Sequence, residues 1–188
     1  MIVAITGGIG SGKSVVSKIL RLLGYKVYDT DSRAKTLMHE SESLRSLLVE
    51  RFGADIYIGK QLHTRLLSSI VFSDKSALAD LNAIVHPAVK NDMLRWAKML
   101  GGVVFVETAI PYSSGIDLLV DKIWKVSAST EVRVKRVMAR NGMSRELVLE
   151  RIASQLPEEV PNEKDVLILN DNTIALIPQI VENLKLLK

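Results

Sequence analysis

Four glycines, a lysine and a serine between positions 7 and 14 have the types and spacing needed to hold a phosphate chain. The segment reads Gly-Gly-Ile-Gly-Ser-Gly-Lys-Ser and directly follows the apolar run Ile2–Ile5. Glycines let successive backbone N–H groups curl around an anion, and a helix starting near Lys13 would aim its positive dipole end at it. Lys13 can reach the β- and γ-phosphates, and the Ser14 hydroxyl can ligate Mg²⁺. This pattern predicts a nucleotide site with loop contacts from Gly8, Ile9, Gly10, Ser11, Gly12, Lys13, Ser14 and Val15.

A second set of charged side chains follows the fourth predicted strand. Its arginines share one helix face because they are spaced i, i+3 and i+7: Arg133, Arg136 and Arg140. Guanidinium groups there can fork onto nucleotide phosphates and neutralise transition-state charge once a lid closes. Arg151 and Gln155 follow at i, i+4 on the next helix. The alternative interpretation is a solvated basic face paired with Glu131, Glu146 and Glu150.

The elements that must position these residues alternate between strand and helix. Near-continuous apolar runs predict strands of a parallel sheet flanked by helices, at Ile2–Ile5, Lys26–Tyr28, Val103–Val106, Lys122–Ala128 and Val166–Leu169. Helical spacing predicts helices over Lys13–Leu23, Glu131–Ala139, Arg145–Gln155 and a final stretch to Leu187, where Pro178 marks a start or a kink.

Residues 32–100 separate the second and third predicted strands and are too many for one crossover. The segment is predicted to be helical throughout, over Ser32–His39, Leu44–Phe52, Leu66–Phe72, Ala77–Ile84 and Pro87–Leu100. Because His86 precedes Pro87, its backbone is expected to be extended at a helix entrance. The insertion either builds an acceptor-substrate pocket or is a decorative subdomain. We predict one domain, 1–188, with a core of 1–31, 101–139 and 156–188, an acceptor-binding insertion of 32–100 and a lid of 140–155.

Composition narrows the class of protein. The net charge is +4 without a long Lys/Arg run, which favours a small phosphorylated substrate over nucleic acid. The absence of cysteine fits a reducing cytoplasm, and no apolar stretch approaches the ~20 residues of a membrane span. No Asp is followed by Gly three positions later, as a GTPase switch requires, and the third predicted strand ends in Glu107. We therefore expect a cytoplasmic small-molecule kinase with a three-layer α/β P-loop fold, a monomer or weak homo-oligomer that contacts no membrane.

Several motifs together resemble the dephospho-coenzyme A kinases, and the resemblance covers essentially the whole chain. They are Thr6–Ser14, Asp29-Thr30-Asp31, Leu62–Phe72, Leu81-Asn82 with His86-Pro87, Arg136 with Arg140, Arg151 with Gln155, and Ile168-Leu169-Asn170. The resemblance implies transfer of the γ-phosphate of ATP, with Mg²⁺, to the ribose 3′-hydroxyl of dephospho-CoA, the last step of coenzyme A synthesis. Another P-loop small-molecule kinase, for a nucleoside monophosphate or a sugar, and a non-catalytic ATP-binding regulator are the alternatives.

The resemblance also implies roles for individual residues. Asp31 is the base or hydroxyl-orienting group, with Asp29 as the runner-up, while Lys13 and Arg140 act on the transferred phosphate. Arg136 and Asn170 contact the nucleotide, and Arg65 and His86 contact the acceptor. The alternative for Asn170 is a loop-capping role, and that for His86 is a structural hydrogen-bonding role. The chain departs from the family pattern in three places: Val15 follows the loop serine, Thr64 stands where the family has arginine, and Thr108-Ala109-Ile110 replaces Pro-Leu-Leu.

Overall fold

The computed structural model describes residues 1–155 and 163–187, and these form two compact units. The sheet unit comprises Met1–Tyr28 and Leu100–Lys188, and the helical unit comprises Asp29–Met99. Residues 156–162 and residue 188 lie outside the described residues. They are the beginning and the end of the predicted core segment 156–188. No helix in the described part of the chain combines the length and hydropathy that crossing a bilayer requires.

The sheet unit is built on five strands, counted over the described residues, in the order β2-β5-β1-β6-β7. The strands are β1 (Ile2–Thr6), β2 (Val27–Asp29), β5 (Val104–Glu107), β6 (Lys122–Ser127) and β7 (Asp165–Leu169). β1 pairs in parallel with β5 and β6, and β6 pairs in parallel with β7. The predicted α/β class and all five predicted strands are therefore confirmed, with small shifts at their ends.

Alternate strand residues build the core of this unit. Phe105 and Trp124 are fully buried between strands and helices, and their rings lie 5.1 Å apart. They pack with Val16 and Leu20 of α1 (Lys13–Leu22) and with Ile180 of α8 (Leu176–Lys185). Pro178 is the third residue of α8, where a missing N–H costs no intrahelical hydrogen bond, so it marks the start of the helix.

Two further helices of the sheet unit, α6 (Thr130–Asn141) and α7 (Arg145–Ala153), pack on each other through a separate small core. Val134 and Val137 of α6 meet Val148 and Ile152 of α7, and Ile9 of the glycine-rich loop packs against this cluster. Gly142, with φ +64°, ends α6 in the left-handed conformation and begins the turn into α7. The predicted helices at 131–139 and 145–155 are confirmed, although the second ends two residues earlier, at Ala153.

The helical unit contains four helices, α2 (Thr30–Glu40), α3 (Glu42–Phe52), α4 (Thr64–Ser73) and α5 (Lys75–Leu100, one residue beyond it). The prediction that this segment is helical throughout is wrong. A 3₁₀ turn at Ala54–Ile56 leads into an antiparallel hairpin of β3 (Tyr57–Ile58) and β4 (Gln61–Leu62). Gly59, with φ +61°, turns the chain between these strands, a geometry that glycine allows without strain.

Two predictions around Pro87 are also wrong. Residues 75–100 form one continuous helix, α5, with Pro87 inside it, and His86 is helical rather than extended. Proline removes one intrahelical hydrogen bond, but buried residues at helical spacing on both sides of it (Val85, Val89 and Met93) hold the helix against the rest of the unit.

Candidate phosphate-binding site

The glycine-rich loop, residues 7–12, joins the end of β1 to the start of α1. Gly10 and Gly12 have φ angles of +79° and +100°, which favour glycine, and α1 begins at Lys13 directly after them. The first N–H groups of a helix have no intrahelical partner and carry partial positive charge. The loop therefore presents backbone donors and a helix N-terminus at one place, an arrangement that binds phosphate.

Neighbouring groups leave no room for side chains on this loop. A Cβ atom on Gly8 would overlap the Arg133 guanidinium, and one on Gly12 would overlap the amide nitrogen of Asn170. A Cβ on Gly10 would lie 2.7 Å from the backbone oxygen of Arg133. Close contacts and a positive φ together favour glycine at positions 10 and 12, whereas at Gly8 only the contact with the Arg133 guanidinium does.

The two polar side chains that end the motif differ in their surroundings. The Lys13 ammonium is half-buried and donates a hydrogen bond to the Gly7 carbonyl oxygen. Ser14 is exposed in the first turn of α1, as is Val15 beside it. Across residues 1–155 and 163–187 no group of three acidic or histidine side chains is arranged to hold a metal ion. The Ser14 hydroxyl supplies an oxygen donor of the kind that Mg²⁺ accepts.

The α6 arginines differ in their reach toward the loop. Arg133 Nε donates to the Ile9 carbonyl oxygen at 2.9 Å, and Arg136 Nη1 lies 3.4 Å from the carbonyl oxygens of Gly10 and Ser11. Arg140, one turn further, is exposed and bonds the Asn141 side chain at 2.7 Å. The structure thus brings Arg133 and Arg136 to the loop and leaves Arg140 in solvent.

Ion pairing accounts for one charge of the predicted basic face. Arg145 of α7 bonds Glu131 of α6 through both carboxylate oxygens, with one N···O distance of 3.0 Å. This hydrogen bond and the positive charge behind it lower the pKa of Glu131. Arg151 is exposed. The interpretation as a solvated, paired face therefore holds for Arg145.

Asn170, directly after β7, supports the loop from the other side. Its Nδ2 donates to the Ser11 carbonyl oxygen at 2.8 Å, and its Oδ1 accepts from Arg136 Nη2 at 3.5 Å. Arg136 Nη2 also donates to Asn172 Oδ1 at 2.9 Å. Asn172 has φ +73°, a conformation that asparagine tolerates better than most side chains. The Asn170 amide thus forms hydrogen bonds with the loop backbone and with Arg136.

A cavity of about 540 Å³ adjoins the loop in the sheet unit. Gly7, Gly8 and Arg133 form part of its wall, and Lys125 of β6 and Asp165 of β7 form another part. These two side chains make an ion pair of 2.7 Å, and the Tyr112 hydroxyl donates to Asp165 at 3.0 Å. Burial disfavours the charged form of Lys125, but its hydrogen bonds with Asp165 and Tyr112 outweigh this effect and raise the pKa of Lys125.

Sequence reasoning missed this Lys125–Asp165–Tyr112 cluster. The available signal was a lysine inside an otherwise apolar predicted strand, Lys-Ile-Trp-Lys-Val-Ser. Its partner Asp165 stands 40 positions later in the chain, a pairing that only the parallel register of β6 and β7 brings about.

The predicted acceptor-side residues lie in the helical unit. Asp29 caps α2, where its Oδ1 accepts from the Ser32 N–H at 3.0 Å. Asp31 is exposed in the first turn of α2, and no hydrogen bond within residues 29–99 occupies its carboxylate. Arg65 is exposed at the start of α4, and His86 is half-buried on α5. Burial and the charge of Lys90 lower the pKa of His86.

Comparisons with known proteins agree on one protein family. A family model described as dephospho-CoA kinase matches residues 1–175. A dephospho-CoA kinase from Porphyromonas gingivalis is 41% identical over 182 residues, which cover 95% of this chain and 90% of the relative.

Two solved structures resemble the whole chain. TT1252 from Thermus thermophilus has a TM-score of 0.79 and 35% sequence identity, and the match covers 99% of this chain and 95% of that one. A dephospho-CoA kinase from Campylobacter jejuni has a TM-score of 0.71 and 26% identity, with 98% and 95% covered.

Proposed function

The chain belongs to the dephospho-CoA kinase family, and from that premise we propose that it transfers the γ-phosphoryl group of ATP to the ribose 3′-hydroxyl of dephospho-CoA. The products are coenzyme A and ADP. The observation that carries the donor half of the reaction is the loop at the N-terminus of α1, where three glycines are closed in by Arg133 and Asn170. Such a loop is suited to a phosphate chain and to little else.

In the donor site, we propose that loop N–H groups hold the β-phosphate and that Lys13 moves from the Gly7 carbonyl to the β- and γ-phosphates. Ser14 ligates Mg²⁺, which when bound neutralises phosphate charge. Arg136 stands close enough to serve the same phosphates, since it already reaches the Gly10 and Ser11 carbonyls. Asn170 contributes to the adenine side of the site while it supports the loop.

We assign proton acceptance to Asp31. As the 3′-oxygen bonds to the γ-phosphorus, the bond from that phosphorus to the β,γ-bridging oxygen breaks, and the hydroxyl proton passes to a carboxylate. The Asp29 carboxylate is engaged as the cap of α2, whereas no hydrogen bond within the helical unit engages that of Asp31. Asp31 also stands two residues past the end of β2 in the chain, and open α/β sheets bind ligands beyond the carboxyl ends of their strands.

The remaining predicted roles belong to the same proposal. The helical unit binds the acceptor, with Arg65 and His86 as contacts, and residues 140–155 form a lid that brings Arg140 onto the phosphates. The absence of cysteine fits a cytoplasmic site of action, where the chain works on small molecules as a monomer or weak homo-oligomer.

A coupled assay of ADP release with a panel of acceptors tests this function. Dephospho-CoA should release ADP from ATP in the presence of Mg²⁺, and AMP, gluconate and shikimate should release little more than the acceptor-free background. The Lys13→Ala protein, prepared identically, controls for contaminating kinases. Release with AMP or a sugar but not with dephospho-CoA would favour another small-molecule kinase, and tight ATP binding without release for any acceptor would favour a regulator.

A further inference from the structure

Ile9, at the tip of the glycine-rich loop, is attached to the α6–α7 pair through its backbone and its side chain. Its N–H donates to Gln155 Oε1 at 2.7 Å, and its carbonyl accepts from Arg133 Nε at 2.9 Å. Its side chain packs against the small core of Val134, Val137, Val148 and Ile152. Ile9 is therefore held by Arg133 of α6, by the apolar core between α6 and α7, and by Gln155, two residues beyond the end of α7.

The orientation of the Gln155 amide follows from these contacts. An N–H group can bond only to an acceptor, so the Gln155 oxygen must face Ile9 and its Nε2 must point elsewhere. The backbone N–H of Gln155 bonds the Ile152 carbonyl at 3.2 Å, which ties the residue to the end of α7. The 2.7 Å hydrogen bond from the Ile9 N–H to Gln155 Oε1 therefore links this helix end to the loop, between residues that are 146 positions apart in the sequence.

The attachment of Ile9 matters for the conformation of the loop because the residues around it are glycines. Gly7, Gly8 and Gly10 have no side chains with which to restrict the backbone, so the loop carries a large conformational entropy when it is unattached. Ile9 is the one residue with a side chain among positions 7 to 10. Its contacts add to the hydrogen bonds that Lys13 makes with the Gly7 carbonyl and Arg136 with the Gly10 carbonyl. A loop fixed before the ligand arrives loses less entropy on binding.

We propose that Gln155 is a positioning residue for the donor site. It acts through the Ile9 N–H, holds the glycine-rich loop in its phosphate-binding conformation and couples that conformation to α7. This role rests on the proposed function only in taking ATP as the ligand of the loop. Gln155 itself touches no reacting atom.

Two substitutions at Gln155 separate the hydrogen bond from the volume of the side chain. Gln155→Met keeps the length but has no strong acceptor, whereas Gln155→Glu keeps an oxygen facing Ile9. Ser154→Ala, at the same helix end, removes an exposed hydroxyl that bonds the Arg151 carbonyl and serves as the matched control. Thermal unfolding of each protein shows that it is folded.

The first measurement is hydrogen exchange of the Ile9 amide by NMR, which does not depend on the reaction. Exchange at Ile9 should accelerate in Gln155→Met and stay slow in Gln155→Glu and Ser154→Ala. The second is steady-state kinetics, in which Gln155→Met should lower kcat/KM for ATP about fivefold to tenfold, the value of one net hydrogen bond, with the KM for dephospho-CoA unchanged. Gln155→Glu should recover most of this loss.

Unchanged Ile9 exchange in Gln155→Met would overturn the proposal, as would faster exchange with wild-type kinetics for ATP. Slow Ile9 exchange in Gln155→Glu combined with the full kinetic loss would also overturn it, since the loss would then have another origin. If the wild-type protein lacks activity on dephospho-CoA, the proposed function fails instead, and the exchange result still decides whether Gln155 holds the loop.

Discussion

Asp29 and Asp31 are only two positions apart, yet their carboxylates have different surroundings: one caps a helix and the other is exposed. Asp29 accepts the Ser32 N–H and so satisfies one of the free donors at the start of α2. Asp31 is exposed in the first turn of the same helix. From the sequence alone either residue could be the base, because the spacing does not show which of the two carboxylates caps the helix.

Asp31→Asn keeps the shape of the side chain but removes the carboxylate that accepts the proton. General-base contributions are typically ~10²–10⁴-fold, so kcat should fall by about that factor while ATP still binds. Asp29→Asn is the matched control, since asparagine caps a helix about as well as aspartate, and it should retain near-wild-type kcat. Full activity of Asp31→Asn, or a larger loss in Asp29→Asn, would reassign the base.

Lys13→Ala should nearly abolish turnover without unfolding the protein. The Lys13 ammonium contacts the loop carbonyl of Gly7 rather than the apolar core, so its loss removes charge from the phosphate site and little packing. Lys18→Ala removes an exposed lysine from the same helix and should change neither rate nor melting temperature. Steady-state rates and circular dichroism melting curves check both variants. A folded Lys13→Ala protein with wild-type turnover would exclude this lysine from the donor site.

At the scale of elements, strands were more predictable than connections. Near-continuous apolar runs such as Val103–Val106 specify strands buried on both faces, and five such runs predicted the five strands of the sheet. The hairpin at Tyr57–Leu62 was missed because two-residue strands carry no periodicity, and α5 was split at Pro87 because local rules treat proline as a helix end. Burial of residues on both sides of Pro87 overrides that rule.

The parts of the site that could be predicted from the sequence are those that belong to a contiguous motif. The loop, Lys13 and Ser14 follow from one contiguous pattern, whereas the contacts of Gln155 with Ile9 and of Asn170 with Ser11 join residues 146 and 159 positions apart. Such contacts depend on strand order and on the packing of α6 and α7, which no local pattern encodes.

Arg140 belongs to the α6–α7 segment that we propose to close over ATP. It is exposed and bonds its neighbour Asn141, so Arg140→Ala should leave the fold unchanged and lower kcat more than it weakens acceptor binding. Stabilisation of charge that develops in the transition state affects kcat rather than ground-state affinity. The matched control is Lys135→Ala, an exposed charge on the same helix, compared by steady-state kinetics. An unchanged kcat in Arg140→Ala would reduce this residue to surface charge.

The half-buried His86 of α5 should make the helical unit sensitive to acid. Burial and Lys90 lower its pKa below the ordinary value of 6.5, so the unfolded chain binds a proton more readily than the folded one. The contribution of His86 is therefore fully present above pH 6.5 and is lost as the pH falls through the folded pKa. His86→Gln should flatten this part of the pH dependence of the free energy of unfolding, measured by urea denaturation. His63→Gln is the control, and a pH dependence equal to that of wild type in His86→Gln would contradict the assignment.

At the scale of the whole molecule, the two units carry different halves of the proposed reaction. The sheet unit holds the loop, Lys13, Ser14 and the arginines of α6, which are suited to a phosphate donor. The helical unit holds Asp31, Arg65 and His86, which we assign to the acceptor. Because the chain belongs to the dephospho-CoA kinase family, we propose that these two sets of residues serve a single reaction.

The position of the new phosphate on the product tests this account most directly. The wild-type protein is incubated with ATP, Mg²⁺ and dephospho-CoA, and the purified product is examined by ¹H–³¹P correlation NMR. We expect one new phosphomonoester whose phosphorus couples to the ribose H3′ of the adenosine moiety, which identifies coenzyme A. A phosphorus coupled to H2′, or dephospho-CoA recovered unchanged under conditions in which another acceptor is phosphorylated, would contradict the account.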